Sequence, residues 1–317
     1  KNTFYLETLK TYSTVALQRG AHSIFFPGGT RSRSGMLEKR LKLGLLGTAV
    51  ECQKNHFKNF HQDVAPKIFV VPMVINYHFV LEASSLINDY LKEMGQHRFL
   101  RENDEYSTSF KMVRFILKFL SASSSLTISF GKVLDVFGNE VDSEGNSFNH
   151  LGKPIDIKRY FITNGEMTED AQRDEEYTKI LGEKIVEQYW RANTVLTSHL
   201  VCFTLFELIK KQYKDVDLFT LLRTPEDEIA IPEGKFLEAL SNLKEQLKNM
   251  ATAGEIQISP EIRWNVDKIL EHGMRNVNLY HVSNPIKRTG STFGSEDLKL
   301  LYYYHNRLDG YNLHQWI

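Results

Sequence analysis

The sequence is poor in the residues that announce a metal, redox or membrane protein. Its two cysteines, Cys52 and Cys202, stand far apart and outside any CxxC or Cys/His ligand spacing, so they read as two reduced, packed thiols, with no oxidising compartment indicated. Long hydrophobic runs are missing. Stretches such as Ile68–Ile75 and Leu200–Phe206 fall well short of the roughly 18 residues of a membrane-spanning helix, and no signal peptide is visible. Net charge is missing as well: lysine and arginine total 39, and aspartate and glutamate total 39. That balance excludes a global field for nucleic acid, so any anion site must be local. There is no internal repeat and no low-complexity tract. Neither a G-x-G-x-x-G nor a nucleotide P-loop occurs, since Met36 follows Gly35 where a P-loop needs lysine.

What is present suffices for a large core, because 42% of the 317 residues are hydrophobic. Tyr5, Leu9, Tyr12 and Ala16 recur at helical spacing, and Gly20 follows as a C-cap. Ser23–Pro27 reads as a short buried strand. Leu41–Gln53, Leu81–Met94 and Tyr106–Leu120 read as helices, whereas Lys67–Tyr77, interrupted at Pro72, and Leu126–Val136, broken at Gly131, read as strands. The polar stretch from Gly138 to Gly152 reads as a long loop. Beyond it Thr168 is the expected N-cap of a helix whose apolar face is Tyr177, Ile180, Leu181, Ile185 and Tyr189. Further helices are expected at Ser198–Tyr213, Pro232–Thr252, Pro260–Met274 and Ser295–Leu308. The pattern predicts an α/β fold, a mixed sheet flanked by helices over residues 1–160, with an all-helical C-terminal domain over 161–317.

The stretch IFFPGGTRSRSG, residues 24–35, carries the local charge. Arg31, Arg33, Lys39, Arg40 and Lys42 crowd twelve residues with one acidic neighbour, Glu38. Gly28 and Gly29 permit a turn whose N–H groups converge on an anion, Thr30 and Ser32 add hydroxyl donors, and arginine forks suit phosphate oxygens. A solvated basic loop is the alternative reading of the same residues.

FPGGTRSRSG resembles the third conserved block of the glycerolipid acyltransferases, in their glycerol-3-phosphate and dihydroxyacetone-phosphate O-acyltransferase branch. Leu41–Gly44 is similar to a helix start in that branch. Val71, Pro72 and Met73 through Tyr77 are similar to its fourth block. Ser129–Gly131, Ala192–Thr194 and Tyr303–Asn306 are similar to later segments. The resemblance implies transfer of a fatty acyl group from acyl-CoA or acyl-carrier protein to the sn-1 hydroxyl of glycerol 3-phosphate, in phospholipid biosynthesis. It implies no cofactor and peripheral attachment to the cytoplasmic face of a membrane. It places the acceptor phosphate on Gly29, Thr30, Arg31, Ser32 and Arg33, helped by Lys42, with Pro72 shaping a strand beside the acyl-donor groove.

The family's His-x4-Asp base occurs nowhere in this chain, so the resemblance implies no catalytic residue here and a dyad upstream of Lys1, lost by truncation; His97–Glu102 comes too late in the chain to replace it. Gly28 stands where the family has glutamate, and His78 where an acidic residue is usual. These departures leave open an altered acceptor, dihydroxyacetone phosphate included, a weakened enzyme, or a non-catalytic module that binds lipid phosphate or acyl carrier. His305 and Asp309, four apart, read as a helix-surface pair before a metal pair. Tyr302–Tyr304 and the Leu200–Ile209 face read as core packing, with lipid contact the alternative for the latter.

Overall fold

A computed structural model describes residues 3–29, 31–60, 65–94 and 126–317. In chain order its elements are α1 (Thr3–Gln18), α2 (Leu43–Asn59), β1 (Phe69–Val70), β2 (Met73–Tyr77), α3 (Ala83–Glu93), β3 (Leu126–Phe130), β4 (Leu134–Asp135), β5 (Glu140–Val141), β6 (Ser147–Phe148) and β7 (Pro154–Ile155). Then come β8 (Ile162–Thr163), β9 (Glu166–Met167), α4 (Ala171–Ala192), β10 (Thr194–Val195), α5 (Thr197–Gln212), β11 (Ile231–Pro232), α6 (Glu233–Thr252), β12 (Gln257–Ile258), α7 (Val266–Asn278), β13 (Lys287–Thr289), β14 (Thr292–Gly294) and α8 (Leu298–His305). Two compact units share the chain: Lys1–Arg31, Glu38–Val74 and Phe130–Ala192 in the first, Ser32–Leu37, Ile75–Ser129 and Asn193–Ile317 in the second.

The first unit is built on α2 and α4. Leu46 on α2 meets Leu181 and Ile185 on α4, and Ala49, Val50 and Phe57 pack with Val136, Phe137, Ile157 and Phe161. Lys54 adds a polar tie, its ammonium 2.7 Å from both Glu169 and Asp174. The face of α1 that meets α2 is not the apolar stripe: Ser13 pairs with Thr48 at 3.2 Å and Thr14 with Glu51 at 3.4 Å, leaving Tyr5 and Tyr12 exposed. Gly20, at φ +79°, closes α1 as expected, with the Ala21 N–H donating back to Ala16. The strand expected at Ser23–Pro27 does not form. Among the described residues none pairs with it, and Ile24 and Phe26 are 76% and 74% exposed. The backbone turns instead, Gly29 N–H donating to Phe26 and Lys42 N–H to Pro27.

Residues 138–152 are not a long loop but part of a five-stranded antiparallel meander in the order β1-β4-β5-β6-β7. A repeat of seven residues makes it. Asp135, Asp142 and Asn149 each accept two backbone N–H groups through their Oδ1, from residues two and four ahead. Gly138, Gly145 and Gly152 follow three residues after each, all at positive φ. The expectation of no internal repeat is thereby corrected. Asp170, rather than Thr168, caps α4, accepting the Arg173 N–H at 2.9 Å.

The second unit surrounds α5, in which every residue from Thr197 to Ile209 is buried, as core packing required. α6, α7 and α8 pack on it. This part is not all-helical: β10 pairs in parallel with β12, and β11, β14 and β13 form an antiparallel sheet. The fold is mixed α/β with small sheets, mostly antiparallel, in place of one flanked mixed sheet. Strands of two or three residues are too short to show an alternating pattern in sequence. The helix expected at Tyr106–Leu120 lies outside the described residues. Among the described residues no helix is long and apolar enough to cross a membrane, and both cysteines are free and buried.

Candidate functional site

The residues expected to hold an acceptor phosphate divide between the units: Gly29, Arg31, Lys42 and Pro72 in the first, Ser32 and Arg33 in the second. Thr30 lies outside the described residues, as do His97 and Glu102.

In the first unit Gly29 and Lys42 come together. Gly29 sits at φ +73°, and a Cβ there would fall 2.5 Å from Lys42 Nζ. Gly28 has the carboxyl group of Glu38 folded against it in the same way. Burial pushes that carboxyl up, against the charge of Lys42. Arg31 is exposed. Pro72 forms the corner between β1 and β2, and its carbonyl accepts the Gly131 N–H at 2.8 Å.

In the second unit Ser32–Leu37 folds into a hydroxyl-closed turn: Ser32 Oγ donates to Met36 O, and Met36 N–H donates to Ser34 Oγ. Arg33 Nη2 lies 2.7 Å from Glu93 Oε1 on α3. The turn is fastened to the end of α8. Asn306 Nδ2 donates to the Ser34 carbonyl at 2.8 Å, and Gly35, at φ +81°, packs so closely on the Tyr303 carbonyl that a Cβ would collide with it.

Next along the chain from Asn306, Arg307 joins two separate segments to its own. Its Nε donates to Asn76 Oδ1 on β2 (2.9 Å) and to Asn193 Oδ1 (3.0 Å), and its Nη2 donates to the Ile75 carbonyl (3.0 Å) and Asn76 Oδ1 (2.6 Å). Asn193 passes the chain on to Tyr311, and Thr194 pairs with Ser129 at 2.6 Å. Burial lowers the Arg307 guanidinium to about 10, which keeps it charged at neutral pH. His199 Nε2 is 3.1 Å from the Tyr77 carbonyl, and burial, with the Arg307 charge, holds that imidazole well below its ordinary range.

His305 and Asp309 are not a surface pair. His305 is buried, stacked on Phe203 with ring centroids 4.8 Å apart, and its Nε2 meets Glu207 Oε1 at 2.9 Å. Both its ring nitrogens face acceptor oxygens, the second being Asn306 Oδ1 at 3.0 Å. Burial pushes Glu207 up, but the hydrogen bond and charge of His305, with Lys210, bring it below the ordinary carboxylate range. A second histidine cluster lies by the start of α5. His78 Nδ1 is 3.1 Å from Ser198 Oγ, His272 Nδ1 is 2.8 Å from Thr197 Oγ1, and the two rings meet edge to face. No group of three or more metal-ligating side chains occurs among the described residues.

Sequence reasoning missed Asn76, Asn193 and Arg307. The signal is a single amide in an apolar strand, VPMVINY, and another at the Ala192–Thr194 junction: a polar side chain in such a place must be hydrogen-bonded, and the sequence does not name its partner. No protein-family model, no curated protein and no solved structure matches the chain.

Proposed function

We propose that the chain belongs to a glycerol-3-phosphate O-acyltransferase, transferring a fatty acyl group from acyl-CoA or acyl-carrier protein to the sn-1 hydroxyl at a membrane surface. The observation that carries the reading is the convergence, within one unit, of four segments that resemble that family and lie far apart in sequence. The end of the RSRSG turn is bonded to Asn306, the fourth-block strand reaches Arg307 through Asn76, and the Asn193 junction reaches it as well. Gly35 explains itself in the same terms, since no other residue fits against Tyr303.

In this reading the basic turn holds the acceptor phosphate, with Ser32 and Arg33 its residues in the second unit, and Arg31, Gly29 and Lys42, in the first, are tested separately. Arg33 would exchange its exposed pairing with Glu93 for a charge-assisted fork to the ligand, and an exposed pair of that kind costs little to break. Placement of two substrates, worth roughly 7–11 kcal/mol, supplies much of the rate without covalent chemistry on these residues.

The test is acyl transfer to labelled glycerol 3-phosphate by the protein of the whole reading frame. Arg31→Ala is expected to raise the acceptor KM by about 10- to 100-fold, the equivalent of one charge-assisted contact, with the fold intact. Gly28 in the place of the family glutamate supports a second reading, a non-catalytic binder of the same ligands. Glycerol 3-phosphate binding without turnover would select it, and an unchanged KM with lost solubility would reduce the basic turn to a structural loop.

A further inference from the structure

We propose that Arg307 is the fixed cation of an anion-binding site in the second unit, and that the anion is a phosphate group. Identifying the bearer of that phosphate as glycerol 3-phosphate rests on the reading above; the site itself does not.

The guanidinium has five N–H groups, and the structure accounts for three. Nε and Nη2 donate to Asn76 Oδ1, Asn193 Oδ1 and the Ile75 carbonyl, which are all uncharged oxygens. Nη1 makes no hydrogen bond to any described residue, and no described carboxylate pairs with the group. The ionisable neighbours acting on its charge are Tyr311 and Tyr303, neutral phenols at physiological pH. Arg307 is half-buried, and a partly desolvated charge is ordinarily paired, because leaving it uncompensated is costly. Here two asparagines and a strand carbonyl hold the plane of the cation, and no countercharge is supplied among the described residues. A cross-link alone would not need the charge, since neutral donors could join the same carbonyls.

Asn76 is 1% exposed, and its Nδ2 is buried without a hydrogen-bond partner. Its orientation is not in question: a guanidinium cannot accept, so Oδ1 must face Arg307 and Nδ2 must point elsewhere. Arg307 and Asn76 therefore form a network with no negative charge among the described residues, and Nη1 is its spare donor on the cation. The RSRSG turn is anchored on the adjacent Asn306, which puts Arg33 on the segment bonded next to this cation. The two N–H groups of Nη1 are the ones left to bind a phosphate oxygen, and the bonds made by Nε and Nη2 hold them in place.

The experiment titrates inorganic phosphate into the full chain at constant ionic strength, with chloride as the control. It follows the Nε–Hε resonances of labelled arginine and the thermal unfolding midpoint. The expected result is a saturable shift of the Arg307 resonance, assigned by its loss in Arg307→Lys, and a rise in the midpoint. Arg307→Gln should weaken phosphate binding by about tenfold or more, with Arg307→Lys in between. An Arg307 resonance indifferent to phosphate, or an Arg307→Gln chain that binds phosphate like the wild type, overturns the proposal. If Arg307→Gln does not fold, the wild-type resonance decides alone. Glycerol 3-phosphate, CoA and 3′-dephospho-CoA then identify the source. Glycerol 3-phosphate bound through Arg307 supports the acceptor, and a loss of affinity on removing the 3′-phosphate of CoA supports the donor. Phosphate bound at Arg307 with neither ester bound leaves the anion site standing and sinks the acyltransferase reading.

Discussion

Gly35 has two independent reasons to be glycine, and they add. Its φ of +81° is a region that L side chains rarely adopt, and any Cβ would collide with the Tyr303 carbonyl, a backbone atom that cannot swing aside. Gly35→Ala is therefore expected to cost about 2 kcal/mol or more in urea unfolding, and to loosen Ser34 from Asn306. Gly290, also at positive φ but with nothing near its absent Cβ, is the control: Gly290→Ala should cost less by the clash. A Gly35→Ala chain as stable as wild type would mean that the turn does not rest on α8. At this scale the turn at Gly28 and Gly29 was legible, because paired glycines permit a backbone reversal that other residues resist. Arg307 was not, since an isolated arginine in YYYHNRLDG looks like any solvated side chain until Asn76 and Asn193 are brought to it.

Helices were the more legible elements, and the reason is length. α5 and α6 each run at least sixteen residues, enough turns for apolar positions to repeat, and their expected bounds hold to within a residue at each end. α1 repeats as well, yet its stripe faces outward, because the contact with α2 is made by hydroxyls and Glu51. The meander escaped notice for the opposite reason. Its strands are two residues long, and the information lies in the turns. Each turn hangs on one side-chain oxygen, but the three are not equal in burial: Asp135 is wholly buried, whereas Asp142 and Asn149 are half-buried. Asp135→Ala would strand the buried N–H of Phe137 and take the acceptor from the half-buried N–H and amide of Asn139. It should cost about 2–4 kcal/mol, with Asn149→Ala near neutral because solvent can replace the lost acceptor. Equal losses measured by denaturant midpoint at the two positions would show that the meander is held by its ladder and not by its turns.

For the whole molecule, the buried histidines set the response to acid. Burial first, then the charge of His272, lowers His78 to about 4, opposed by Glu261, and His199 and His272 are lowered as well. Their unfolded forms take up a proton near pH 6.5, so between about 6.5 and 4 the unfolded chain binds more protons than the folded one and stability falls as pH falls. The shift at His78 alone corresponds to about 3 kcal/mol across that window, a sizeable share of an ordinary folding free energy. His78→Gln, which keeps a partner for Ser198, should flatten the acid side of the stability profile between pH 6.5 and 4. An unchanged slope would show that this ring is not kept neutral by the fold.

The partition of the chain makes the last prediction. The polar stretch at Gly138–Gly152 and the helices beyond it suggest a boundary at 160/161, whereas the second compact unit draws on Ser32–Leu37 and on Ile75–Ser129 besides Asn193–Ile317. The two partitions differ in what they ask of a fragment. Residues 161–317 alone would lack Ala83, Ile87 and Leu91 of α3, all within 1% of full burial, in the cluster that holds Leu200, Phe206 and Leu301. Truncating a single buried leucine or isoleucine costs about 2–5 kcal/mol, so losing the helix that carries two of them removes about as much as a domain's entire stability, roughly 5–15 kcal/mol. The fragment would also bare the Arg307 guanidinium by removing Asn76 and Ile75. Residues 161–317 are therefore expected to give a poorly dispersed amide spectrum and no cooperative thermal transition, while the full chain gives both. A folded fragment with a sharp transition would show that α3 and the β2 strand end are additions to a self-sufficient helical core, and Arg307 would then need other partners than the ones that fix it here.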